Sequence, residues 1–217
     1  MGNPTQFYKQ SLLYLAYVQL ENLTTEDQKR LSYDMIVAAL ISEEVYSFGE
    51  LISQPILSSL QNTDHKWLIE FLDSFFKGDI KAYHKLVETY KDKFQLESGF
   101  VSKAHFLSEK ISILALIELI FNKSSQNRSI SFKDISSATF LKLDDVELLV
   151  MRALSVGLIR GEIDEVSQVV VVDWVQPRVL SLPQISVLMQ KVDEWREHVK
   201  KTLFGIEEQT HELFFWI

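Results

Sequence analysis

The order of short elements between Ser129 and Leu180 constrains this chain most. Ile130 and Phe132 mark a short strand, and Ser131-x-x-Asp134 is placed to cap a helix that ends near Thr139. Asp144-x-x-Glu147 reads as a second capping box. Behind it Val146, Leu149, Val150, Ala153 and Leu154 recur at helical spacing until Gly157 closes the helix. Leu158–Ile163 and Val169–Trp174 are runs rich in β-branched residues on either side of a polar DEVSQ turn, which predicts a hairpin, and Pro177 ends its second strand. Strand, helix, helix and hairpin in that order predict a winged helix, and the rest of the chain must pack around it.

The segment upstream reads as helical. Gly and Pro are scarce, at 7 and 4, which favours long helices with short connections. Thr24-x-x-Asp27 resembles a capping box. Asn62 or Thr63 is placed to cap a helix whose wide apolar face is Trp67, Leu68, Phe71, Leu72, Phe75 and Phe76. Gly78 should end that helix in the left-handed conformation, and Asp79 should cap the next one at once. Two antiparallel helices joined so tightly form the unit of a helical solenoid. From Ile111 to Phe121 only Ser112 and Glu118 interrupt the apolar run. A helix apolar on all sides is buried on all sides, and this one should join the repeats to the winged helix. The expected fold is mainly α: helical-hairpin, solenoid-like repeats over 1–123, a winged helix over 124–182, and a C-terminal helix with an apolar tail over 183–217.

Ser181-x-x-Gln184 starts that last helix, and Ile185, Leu188, Val192, Trp195 and Val199 form a heptad seam too short to hold a coiled coil alone. Beyond Gly205 the chain runs into HELFFWI. Burying Leu213, Phe214, Phe215 and Trp216 would each yield about 1.5–3 kcal/mol, so a partner surface is the better reading of this tail than exposure to water. On the hairpin, Val169, Val171 and Asp173 alternate with Val170, Val172 and Trp174. The strand they form is either an edge open to pairing with another chain or a strand covered by the protein's own chain.

The chemical inventory is empty. There is no cysteine, so thiolate catalysis, thiolate metal sites and disulfides are excluded. His84 with Glu88, and His198 with Glu194, have the spacing of a ligand pair, but a zinc site needs three or four ligands. No GxGxxG, GxxxxGK[ST] or GxSxG motif occurs. No enzyme, cofactor or metal is expected. The net charge of −8 makes phosphate backbones and anionic membranes poor partners. The helix that would read a DNA groove carries one base, Arg152, against Asp144, Asp145 and Glu147, so no nucleic acid is expected. The run at Ile111–Phe121 is too short to span a membrane. The opening MGNPTQFYKQ lacks the apolar core of a secretory signal, and Gln6 stands where a myristoylation motif takes Ser or Thr.

Three stretches, FGELISQPILSSLQNTDHKWLIEFLDSFFKGDI (Phe48–Ile80), VELLVMRALSVGLIRGEIDEV (Val146–Val166) and WVQPRVL (Trp174–Leu180), carry a family resemblance. With the order of helical hairpins, winged helix and terminal helix, they make the chain similar to the PCI-domain proteins. These are scaffolds of the proteasome lid, the COP9 signalosome and a translation initiation factor, and the likeness is greatest to the proteasome group. The resemblance implies further N-terminal repeats, so that this chain would be a C-terminal fragment. It also implies a non-catalytic scaffold in the lid of the 26S proteasome regulatory particle, in cytoplasm and nucleus, with other PCI lid subunits as partners. Winged helices of such proteins associate edge to edge, and their last helices gather in a bundle. By position, Val169–Trp174 would serve the first contact, and Ile185 onward the second. The alternatives are another PCI complex or a nucleic-acid-binding winged helix.

Overall fold

A computed structural model describes residues 3–96, 98–123, 129–177 and 182–210. Its helices are α1 (Pro4–Tyr17), α2 (Thr25–Ile41), α3 (Gly49–Ile52), α4 (Lys66–Lys77), α5 (Ile80–Thr89), α6 (Lys91–Leu96), α7 (Ser98–Ser102) and α8 (Ala104–Asn122). The strand β1 (Ser129–Ser131), helices α9 (Phe132–Thr139) and α10 (Leu143–Ser155), and strands β2 (Ile159–Asp164) and β3 (Val169–Val175) complete a winged helix, and α11 (Leu182–Thr210) follows. Residues 1–178 form one compact unit and 179–217 a second.

Local chemistry sets most helix ends. The Thr24 hydroxyl accepts from the Asp27 N–H at 3.2 Å and donates to its carboxylate at 2.6 Å, and the Ser131 hydroxyl accepts from the Asp134 N–H at 3.1 Å. Gly78, at φ 67°, ends α4: its N–H donates to the Phe75 carbonyl, and the Asp79 N–H reaches back to Ser74. Asp79 then caps α5 by accepting from the Ala82 N–H at 3.0 Å. The α10 to β2 join repeats this device with Gly157 at φ 77°. Two expected caps fail. Lys142 precedes α10 without a side-chain cap, so Asp144 and Asp145 sit inside the first turn, where they complement the helix dipole. Likewise α4 starts after His65, because Thr63 is spent on a turn in which its hydroxyl accepts from the His65 N–H.

The helical repeats and the winged helix share one hydrophobic core. Trp67, Phe71 and Phe75 of α4 pack against Tyr83, Phe94 and Phe100, with Phe94 and Phe100 stacked at 5.4 Å between ring centroids. Helix α8 is the spine. Leu107, Ile111, Leu114, Ile117 and Ile120 are buried along it, as expected of a helix apolar on all sides. On the module side the core continues through Ile130, Ile135, Val146, Val150, Ala153 and Val172.

Lys110 lies in the middle of that spine and is fully buried. Its ammonium donates to the carbonyls of Ala39 and Leu40 at 3.0 Å and of Ser42 at 2.7 Å, which are orphan acceptors at the C-terminal end of α2. Lys103 donates to the Ile41 carbonyl at 3.2 Å. The rings of Tyr46 and Phe48 lie 5.2 Å from the Lys110 nitrogen, and that of Phe106 lies at 5.5 Å. Burial, reinforced by the nearby Lys103 charge, pushes the Lys110 ammonium well below its usual range. The three carbonyls, the negative helix end and the ring faces all act the other way, in favour of the charge.

The sheet has the order β1-β3-β2, antiparallel throughout. Val169–Val171 is therefore not at the sheet's edge: Ser129–Ser131 pairs with it on the side away from β2, and the pairing stops short of Val172–Trp174. Among the described residues the edge strands are β1 and β2. The hairpin turns through Gln168 at φ 53°, with the Ser167 N–H donating to the Asp164 carboxylate at 2.9 Å. Between Arg160 and Gly161 the register shifts past Asp173. A side chain on Gly161 would run into the Val171 carbonyl oxygen, which is why glycine stands there.

Two substitutions test this account. A Cβ on Gly78 would sit 3.0 Å from the Leu114 carbonyl oxygen and 3.1 Å from the Ala115 Cα, both on the backbone of α8, whereas nothing lies within 4 Å of one on Gly157. Gly157→Ala should cost about 1 kcal/mol for the left-handed conformation alone, and Gly78→Ala about twice that or more; paired urea titrations measure the difference. Lys110→Met keeps the volume but strips the α2 carbonyls of their donor, and it should cost about 3 kcal/mol, read in the same titration.

Candidate functional site

The side chains singled out in the sequence fall on two surfaces. Val169, Val171 and Asp173 share the solvent-facing side of β3, with Val170 and Val172 buried on the other. They form a sheet face, and β1 covers the backbone edge at Val169 and Val171. Arg160 of β2 lies 4.8 Å over the Trp174 ring and fastens the hairpin beside the bulge. At the turn, hydrogen bonds from Ser167 hold the Asp164 carboxyl below its usual range.

The second surface is α11. It runs without a break through Gly205. At 29 residues it is about 43 Å long. Ile185, Leu188, Val192, Trp195 and Val199 are all exposed, Trp195 to 70%. Because the helix continues, Leu203 and Ile206 extend the stripe by another repeat. On the polar side Arg196 pairs with Asp193 and Glu197, and Lys200 with Glu197. Leu213, Phe214, Phe215 and Trp216 lie outside the described residues, as does Ser181.

His105, Ser108, Glu109 and Asp145 line one cleft, between α8 and α10, and His65 lines another with Glu26 and Asp64. No cluster of three His, Asp or Glu with metal-binding geometry occurs among them. His84 and Glu88 are both exposed on α5, with His84 edge-on to Tyr83 at 5.3 Å. His65 is edge-on to Tyr33 at 4.8 Å, and His105 is exposed on α8. The other perturbed acids and bases belong to the core. Burial raises the Tyr8 and Tyr83 phenols to about 12, with Glu50 adding to the rise at Tyr8, and burial raises Tyr46 also. No described helix is long and apolar enough to cross a membrane.

One exposed surface was not anticipated. On α10 the residues between the buried positions, Leu148 and Met151, face outward. The signal was present in the sequence, since both fall off the Val146, Leu149, Val150, Ala153 pattern, but an apolar residue off the pattern becomes informative only once its exposure is known.

Residues 1–72 match the family model for PSD13 N-terminal repeats, and residues 87–174 match that for the PCI domain. Over 209 residues, 96% of this chain, it is 41% identical to 26S proteasome non-ATPase regulatory subunit 13 of Dictyostelium discoideum and 41% identical to homolog A of that subunit in Arabidopsis thaliana, covering 54% of each. It is 38% identical over 197 residues to 26S proteasome regulatory subunit RPN9 of Saccharomyces cerevisiae, with 90% of this chain and 49% of the relative aligned. The chain thus spans about half the length of the curated relatives it matches.

Exposed stripe residues of α11 contribute contacts only when something covers them. The double substitution Val192→Gln with Trp195→Gln should therefore leave stability within about 0.5 kcal/mol, read as an unchanged thermal midpoint of the isolated chain; a fall of several degrees would place the stripe in its own core.

Proposed function

This chain belongs to the PCI-domain proteins, and from that premise we propose that it is a non-catalytic scaffold subunit of the lid of the 26S proteasome regulatory particle. The observation that carries the reading is the alignment of nearly the whole chain, repeats and PCI domain alike, with relatives named as regulatory, non-ATPase subunits of that particle. Its partners are other PCI subunits of the lid, and its place is the cytoplasm and nucleus.

The work of such a subunit is to hold neighbours at fixed separations, and the geometry suits it. A shared core ties the winged helix to the repeats, so that a neighbour bound at the module is placed with respect to both. Strand β2, at the sheet's edge, offers its outer N–H and C=O groups for pairing with a neighbouring module. The stripe of α11 offers the bundle contact. Another PCI assembly would use the same surfaces, and identity to proteasome subunits is what favours the lid. Groove-reading of nucleic acid is disfavoured by Asp144, Asp145 and Glu147 on α10.

Affinity purification of the tagged full-length gene product should recover lid subunits, identified by mass spectrometry. Val192→Gln with Trp195→Gln should reduce that recovery about tenfold while the fold persists. Recovery of signalosome or initiation-factor subunits in their place would overturn the assignment.

A further inference from the structure

The outward face of α10 combines exposed apolar side chains with a group of carboxylates. Leu148 is 65% exposed and Met151 is 48% exposed, and they stand one turn apart on the same side. Around them Asp144, Asp145 and Glu147 carry carboxylates with no ion-pair partner among the described residues. Asp144 is four residues before Leu148, and Glu147 four before Met151, so each apolar side chain has a carboxylate as its helical neighbour. Beside this face runs a cleft of 310 Å³ between α8 and α10, whose lining includes His105, Glu109, Leu141, Asp145, Leu148 and Leu149. Its apolar wall is the flank of α10, and it has room for an aliphatic side chain. Of the nearby bases, Arg152 is tied to Glu109 at 3.4 Å, His105 lines the cleft, and Lys142 stands at the start of α10.

We propose that the α10 face and its cleft form a docking site for a basic amphipathic helix of a partner protein. The partner's apolar side chains would cover Leu148 and Met151 and enter the cleft, and its Lys or Arg residues would pair with Asp144, Asp145 and Glu147. Charge complementarity selects this occupant. Duplex nucleic acid and anionic lipid both meet carboxylates here, and a second copy of the same face would set acid against acid. The site lies on a helix face and not on the sheet edge or on α11, so it is separate from the assembly contacts proposed above and holds whichever complex the chain joins.

The probe is a fluorescein-labelled helical peptide with a Leu stripe flanked by Lys, and its counterpart with Glu in place of every Lys. Both are titrated into the full chain carrying Val192→Gln and Trp195→Gln, which weakens the competing stripe on α11, and into the same chain with the α10 substitutions below, so that binding to α11 is subtracted. The Lys peptide should bind and lose affinity as salt rises, and the Glu peptide should not bind. Leu148→Gln with Met151→Gln, which leaves the charge unchanged, should weaken the Lys peptide about tenfold or more. Asp144→Asn with Asp145→Asn and Glu147→Gln should weaken it as well and flatten the salt dependence. Equal binding of the two peptides, or full affinity in the Gln variant, would overturn the proposal. So would a concentration-dependent dimer in analytical ultracentrifugation that the Gln variant abolishes, because it would make a second copy the occupant. Met151→Gln alone, on an exposed position, serves as the second variant and should show a smaller loss in the same direction.

Discussion

The ammonium of Lys110 in the carbonyl cradle at the end of α2 is the interaction on which the rest of the unit depends. A helix end leaves carbonyls without partners, and a buried end without them is costly. Here α2 ends inside the core, and its acceptors are met by a side chain some seventy residues on, from the helix that also supports the winged module. The contact therefore fixes the register of α8 against α2. A charge at that depth is tolerated because three carbonyls and three ring faces share it.

From this anchor the architecture follows outward. One side of α8 receives α4 and its aromatic cluster, and the other receives α9, α10 and β3. The close passage of Gly78 against the backbone of α8 brings the α4–α5 hairpin down onto the spine. Repeats and module thus behave as one body with a single core, which suits a protein that holds neighbours in place. The surfaces proposed for contact with others, the β2 edge, the α10 face and the stripe of α11, are carried on regular elements and not on loops.

Much of the fold was legible because its signals are local. Thr24, Ser131 and Asp79 cap the helices they precede, and Gly78 and Gly157 take the left-handed conformations their positions imply. The local signals misled where two readings were chemically equivalent. Asp144 has the spacing of a cap, yet the cap position falls two residues earlier, on Lys142, and puts Asp144 in the first turn. Thr63 had a closer acceptor and donor in its own turn.

The sequence by itself determined the elements, the apolar spine and the stripe of α11, because helix caps, periodicity and turns act between residues a few positions apart. Only the tertiary structure decided which strand is central. Hairpin spacing pairs β2 with β3 but says nothing of the other side of β3, which Ser129–Ser131 occupies from far upstream. Only the tertiary structure, too, gave Lys110 its role and left Leu148 and Met151 uncovered. A lysine in an apolar helix and an apolar residue off the pattern are each ambiguous until the groups facing them are known, and those groups are brought together by packing over distances the sequence does not encode locally.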